Sequence, residues 1–149
     1  MKELLKIAKE IIDLNKDKNS IMLTGTLSLW IRGLGNKIGR KPHDIDLLID
    51  NYASNILVPE YLKESKEEYC SDGTGVRYST QGGKKIDIMS SGEPFQMVNG
   101  FPCSLLENLL NVKYYYARQN NPDAEKHKND IINLGYKYPK SETVDDLPF

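Results

Sequence analysis

Apolar residues Leu4, Leu5, Ala8, Ile11 and Ile12 recur at helical spacing, with Lys2, Glu3, Lys6, Lys9 and Glu10 at the positions between. This pattern predicts an amphipathic first helix. Lys16 to Ser20 is a polar turn, and Ile21-Met22-Leu23 then reads as a buried strand that stops at Gly25. Thr26 stands where an N-cap is wanted, and Leu27, Trp30, Ile31 and Leu34 make one apolar stripe of a second helix. Gly33, Gly35 and Gly39 break that stripe in a basic loop holding Arg32, Lys37, Arg40 and Lys41. Pro42 biases its predecessor toward extended backbone and leads into the run His43-Asp44-Ile45-Asp46-Leu47-Leu48-Ile49.

Beyond this run, Asn51 to Tyr69 holds a short helix opening near Pro59. Val76 to Thr80 and Lys85 to Ser90 predict two strands joined by Gln81-Gly82-Gly83-Lys84, a hairpin signal. After Pro102, Ser104-Leu105-Leu106-Glu107 has the form of a capping box. It opens a long helix bearing Leu105, Leu106, Leu109, Val112, Lys113 and Tyr116. Asn121-Pro122 starts a last helix that Gly135 stops. The order of elements predicts an α/β (α+β) sandwich: a mixed sheet flanked by helices, with Asp44, Asp46 and Asp87 on adjacent strands. Residues 1–136 form one domain in this reading, and the acidic, proline-containing stretch 137–149 an irregular tail.

Composition narrows the class. A chain of 149 residues is large enough for a single core, and 39% hydrophobic with 28% charged residues fits a globular protein. A formal net charge of −1 gives no whole-protein attraction to nucleic acid. Cys70 and Cys103 lack zinc-ligand spacing, so free thiols are expected. The charges within Met1 to Leu14 spoil a signal-peptide core, and no apolar run reaches membrane-spanning length. A cytoplasmic location is the expectation.

The chemistry starts at Asp44 and Asp46. Strand alternation turns both to one face and Ile45, Leu47 and Ile49 to the other. Carboxylates held side by side repel unless a cation joins them, and Mg²⁺ accepts one or two carboxylates plus water and substrate phosphates. Asp87, in Lys85-Ile86-Asp87-Ile88-Met89, offers a third acid. In transfer of a nucleoside monophosphate from a triphosphate to a hydroxyl, two metals clamp the attacking and departing oxygens. Asp44, Asp46 and Asp87 would be metal ligands there, and Asp87 would also draw the hydroxyl proton. Gly25 and Thr26 would meet the phosphates with backbone N–H groups and a hydroxyl.

Leu23-Thr24-Gly25-Thr26-Leu27-Ser28-Leu29, followed by His43-Asp44-Ile45-Asp46-Leu47 and the later Asp87, resembles the signature of the nucleotidyltransferase-fold (polymerase-beta-like) superfamily. The likeness is to bacterial small-molecule (antibiotic) and abortive-infection toxin-type nucleotidyltransferases. Leu105 to Lys113, Ala117-Arg118 and Lys128-Asn129-Asp130-Ile131 resemble their closing helices, so the similarity spans about Met22 to Leu134. The resemblance implies a nucleotidyltransferase-like sheet, a nucleoside triphosphate donor with Mg²⁺ or Mn²⁺, and a triphosphate contact from Lys113. It implies a hydroxyl acceptor that is a small molecule, a tRNA end or a protein side chain. Thr26 departs from the usual Ser or Gly, and the gap from Gly25 to Asp44 is long.

Each signal also has a plainer reading. An acid–hydrophobic–acid triplet alone often marks a solvated strand end, and Asp87 could be the open side of an edge strand. The basic loop Arg32 to Lys41 reads as solvated, with closure over nucleotide or binding of acceptor as its functional alternative; Lys113 reads as a lysine snorkelling beside its helix stripe, Trp30 as core, and His127 and Lys128 as surface. Tyr114, Tyr115 and Tyr116 read mainly as packing, with one available to stack on a base. A non-catalytic nucleotide-binding or regulatory module, as in a toxin–antitoxin pair, is the alternative function. One domain is expected to leave no separate acceptor-binding domain, and a homodimer or a partner subunit could then complete the acceptor wall.

Overall fold

The computed structural model describes residues 1–139. Its centre is a seven-stranded mixed sheet in the order β3-β4-β5-β2-β1-β7-β6. The strands are β1 (Ile21–Thr24), β2 (Ile45–Ile49), β3 (Glu67–Cys70), β4 (Gly75–Ser79), β5 (Lys85–Ser90), β6 (Phe95–Val98) and β7 (Phe101–Ser104). The helices are α1 (Lys2–Asn15), α2 (Gly25–Ile31), α3 (Gly35–Ile38), α4 (Leu106–Ala117) and α5 (Ala124–Asn133), with 3-10 turns at Ala53–Asn55 and Glu60–Ser65.

Strand alternation builds the core as expected. Ile45, Leu47 and Ile49 of β2 are buried, as are Ile86 and Ile88 of β5, and they pack with Leu4, Ile7, Ala8, Ile11 and Ile12 of α1. Asn15, fully buried at the end of α1, stitches this layer to the following loop. Its side chain donates to the Ile11 and Leu57 carbonyls and accepts from the Leu57 N–H. A second cluster, Leu29, Ile38, Leu109, Leu110 and Leu134, joins α2, α3, α4 and the end of α5. The Gln81–Lys84 turn closes β4 onto β5 as predicted. No described helix is long and apolar enough to cross a membrane.

Several boundaries differ from the sequence expectations. Phe95–Val98 and Phe101–Ser104 form an antiparallel hairpin at one edge of the sheet, joined by Asn99-Gly100 with positive φ at both residues. Its strands are four residues each, and Pro102 argues locally against a strand, so the Asn99-Gly100 pair, a two-residue hairpin-turn signal, is its one mark in the sequence and was not among the expected turns. The capping box does not form: Ser104 ends β7, Leu105 is the N-cap, and no side chain caps the helix. Pro122 lies before α5, which opens at Ala124 after an Asn121 side chain accepts from the Asp123 N–H. Within the expected tail, residues 137–139 lie outside helix and strand, and 140–149 fall outside the described residues.

Register is what positions the site. β1 pairs antiparallel with β2, β2 parallel with β5, and β5 antiparallel with β4. Thr24 faces Asp46, Asp46 faces Asp87, and Asp87 faces Arg77. One straight row of polar side chains therefore crosses four adjacent strands, on the face opposite α1.

Candidate functional site

That row floors a pocket of about 240 Å³, lined by Thr24, Gly25, Thr26, Asp46 and Asp87 below and by Arg40, Leu109, Val112, Lys113, Tyr116, Lys126 and His127 around it. Asp46 and Asp87 are brought together as the sequence predicted, through the parallel pairing of β2 with β5. Burial, with Asp87 and then Asp44 adding repulsion, pushes the Asp46 carboxyl up to about 6. Asp46 has no hydrogen-bond or ion-pair partner among the described residues. It is a carboxylate short of a cation.

Asp44 is placed differently. It lies in a bend one residue before β2, is exposed, and does not line the pocket. Its Oδ1 accepts the Lys85 N–H at 3.2 Å, tying it to the start of β5. Pro42 and the bend end the strand early, so alternation does not carry Asp44 onto the floor. Its charge still reaches Asp46. Among the described residues, no three His, Cys, Asp or Glu side chains are gathered as one metal-binding group.

Gly25 makes the elbow between β1 and α2. Its φ of +71° is unfavourable for an L side chain, and a Cβ there would stand 2.5 Å from Asp46 Oδ2. Ser28 Oγ donates to the Gly25 carbonyl at 2.6 Å and holds the turn. The N-cap of α2 is Thr24, without a side-chain cap bond, so the expected capping role of Thr26 does not hold. The Thr26 hydroxyl instead accepts from Arg40 Nη1 at 3.1 Å.

The cationic wall centres on Asp130, which is 2% exposed. Its Oδ2 accepts from Lys113 Nζ at 2.7 Å and from Arg40 Nη2. Burial pushes the Asp130 carboxyl up, but the bonds from Arg40 and Lys113 outweigh it and hold it below the usual range. Burial pulls the Lys113 ammonium down, against the pull of Asp130. Two cations share one anion, so the cluster carries a surplus positive charge beside the elbow. Lys113 is thus a buried, paired residue of the pocket wall, neither snorkelling nor free. Lys126 adds an exposed cation on the same rim.

Two wall residues, Arg40 and His127, and one at the end of the floor row, Arg77, were not among the predicted site residues. Arg40, in a loop expected to be solvated, reaches inward because Trp30 Nε1 donates to its carbonyl at 2.8 Å and anchors the loop. Trp30 packs over Gly35, where a Cβ would collide with the indole. His127, expected at the surface, stacks on Tyr116 with ring centroids 5.3 Å apart. Burial first, then Lys113 and Lys126, pull the His127 imidazole down to about 4, so it is neutral at pH 7. Its Nδ1 is buried with no partner among the described residues. Arg77 forks the Asp87 carboxylate with Nε–Oδ1 at 2.6 Å and Nη2–Oδ2 at 3.1 Å. Its alternation with Val76 and Tyr78 was the available signal: these two are buried, so Arg77 had to face the acids. Arg32, from the same basic loop, is structural and donates to Gln96 and the Ser104 carbonyl.

No family model matches the chain, and no curated protein matches it. Solved structures do. ANT(2'')-Ia, an antibiotic-resistance factor with substrate-regulated conformation dynamics, superposes with a TM-score of 0.59 at 14% identity, over 90% of this chain and 85% of that one. A nucleotidyltransferase candidate from H. pylori gives a TM-score of 0.51 at 18% identity, over 85% and 65% of the two chains. JHP933 from Helicobacter pylori gives 0.50 at 20% identity, over 83% and 58%. This chain spans less than two thirds of either H. pylori protein. The seven-stranded mixed sheet, the glycine elbow and the acid row thus belong to a chain with the nucleotidyltransferase fold.

Proposed function

We propose that the protein transfers a nucleoside monophosphate from a nucleoside triphosphate to a hydroxyl acceptor, with release of pyrophosphate and dependence on Mg²⁺ or Mn²⁺. The observation that carries this reading is the opposition of charges across one pocket: Asp46 and Asp87 on the floor, Arg40, Lys113 and Lys126 on the wall. A triphosphate bound between them meets the cations directly, and its repulsion from the acids calls for a divalent ion. The donor set suits a hard cation, since it is all carboxylate oxygen and Asp46 lacks any partner. Asp46 and Asp87 would hold that ion, with Asp44 supplying negative charge from the strand end. When bound, the ion neutralises phosphate charge and polarises the oxygens around the reacting phosphorus.

The chain's own groups do the rest. Gly25 lets the phosphates approach the backbone, and a side chain there would collide with Asp46. Arg40, Lys113 and Lys126 draw charge toward the β and γ positions, where it grows as the α–β bridging bond breaks. Asp87 accepts the proton of the acceptor hydroxyl as its oxygen bonds to the α-phosphorus. Leu109, Val112 and the Tyr116–His127 stack give an apolar wall for the base. The acceptor is a small molecule, a tRNA end or a protein side chain, approaching from the Asp87 side.

One observation favours a second reading, a non-catalytic nucleotide-binding module: both oxygens of Asp87 are engaged by Arg77. Incubation with α-labelled and γ-labelled nucleotides in a cell extract separates the two. Compared with extract alone, transfer adds α-label, and no γ-label, to a product fraction; binding alone adds no labelled product.

A further inference from the structure

Asp87 meets the pocket already partnered. Arg77 is its direct neighbour on β4, and the two parallel bonds of the fork are the strong, planar kind of charge-assisted pair. The guanidinium makes no other hydrogen bond among the described residues, and its side chain is 36% exposed. It has one anchor and room to leave. Across β2, Asp46 is in the opposite condition, an acid with no partner. A divalent ion reaching this row finds one open carboxylate and one held by a movable cation.

We propose that Arg77 is a displaceable counter-ion that holds Asp87 until a divalent cation arrives and then yields the carboxylate to it. The inference rests on the nucleotidyl-transfer reading and adds a residue outside the glycine and acid motifs. The competition is direct, because the fork engages both oxygens of the carboxylate that a hard cation would draw on. It is also Coulombic, because a guanidinium beside the row disfavours a second positive charge there. Arg77 is a positioning residue: it holds the Asp87 carboxylate aligned, and it sets how much cation is needed to claim that acid.

Mn²⁺ binding to the full chain, followed by electron paramagnetic resonance of the free ion at fixed ionic strength, tests this. Arg77→Gln is expected to bind Mn²⁺ roughly tenfold more tightly than wild type. Arg77→Lys keeps the charge but loses the fork, and is expected to gain about threefold, so the test survives poor folding of the glutamine variant. Both gains should vanish when Asp87→Asn is added, because the competition runs through that carboxylate. Unchanged affinity in both Arg77 variants, or an equal gain without Asp87, would overturn the counter-ion role while leaving a metal site. Failure of every protein to bind Mn²⁺ would overturn the role and the reading of the pocket together.

Discussion

Gly25 sits against the Asp46 carboxylate with no room for a side chain, so close that a methyl group at position 25 would lie 2.5 Å from Oδ2. The elbow and the acid row are therefore one built object. Gly25→Ala meets two penalties, a φ of +71° and this collision. Thermal unfolding should show a loss of ~1–3 kcal/mol, and Mn²⁺ affinity should fall as Asp46 is pushed aside. A variant with wild-type stability and affinity would show that the elbow does not press on the acid.

Asp46→Asn is expected to stabilise the protein while abolishing metal-linked nucleotide binding. The folded carboxyl titrates near 6 against 3.8 for the free group, so its contribution to stability is present below 3.8 and lost as pH rises through 6. Removing the charge should add ~3 kcal/mol well above pH 6 and nothing below pH 4. Denaturant melts across this range measure the difference directly.

His127 pulls the other way. Its imidazole falls from 6.5 to about 4 on folding, so its contribution is present above 6.5 and lost as pH drops toward 4. In wild type the opposing slopes of Asp46 and His127 offset one another between pH 4 and 6. Asp46→Asn should unmask a rise of stability with pH in that window, and adding His127→Gln should flatten it. A flat profile in the single variant would place the His127 shift in doubt.

Asp130→Asn leaves the Lys113 ammonium and the Arg40 guanidinium without their shared anion inside the wall. Breaking a buried pair from one side typically costs ~3–5 kcal/mol, so the variant should melt far below wild type. Lys126→Ala, at the exposed rim, should leave the melt unchanged and weaken nucleotide binding about threefold to tenfold, with a smaller salt dependence. Calorimetric titration distinguishes the two effects.

The legible parts of this molecule were those with strong local periodicity. The α1 stripe, the alternation around Asp46 and Asp87, and the glycine that opens α2 all carried their structural meaning in neighbouring residues. The β6–β7 hairpin carried only its Asn99-Gly100 turn, because short strands interrupted by Pro102 gain their identity from pairing. Asp44 shared the motif with Asp46 but lay one residue outside the strand, and only tertiary structure fixes where a strand begins. The roles of Arg40 and His127 were hidden for a related reason, and that of Arg77 was signalled only by its alternation with Val76 and Tyr78. Each acquires its role from a partner far along the chain or across a turn: Asp130, Asp87 and Tyr116.

The most direct test of the central claim is calorimetric titration of each nucleoside triphosphate into the protein, with and without Mn²⁺, in wild type and Asp46→Asn. The account predicts binding to wild type that requires Mn²⁺ and disappears in the variant. Equal binding in both proteins, or binding indifferent to the metal, would contradict it.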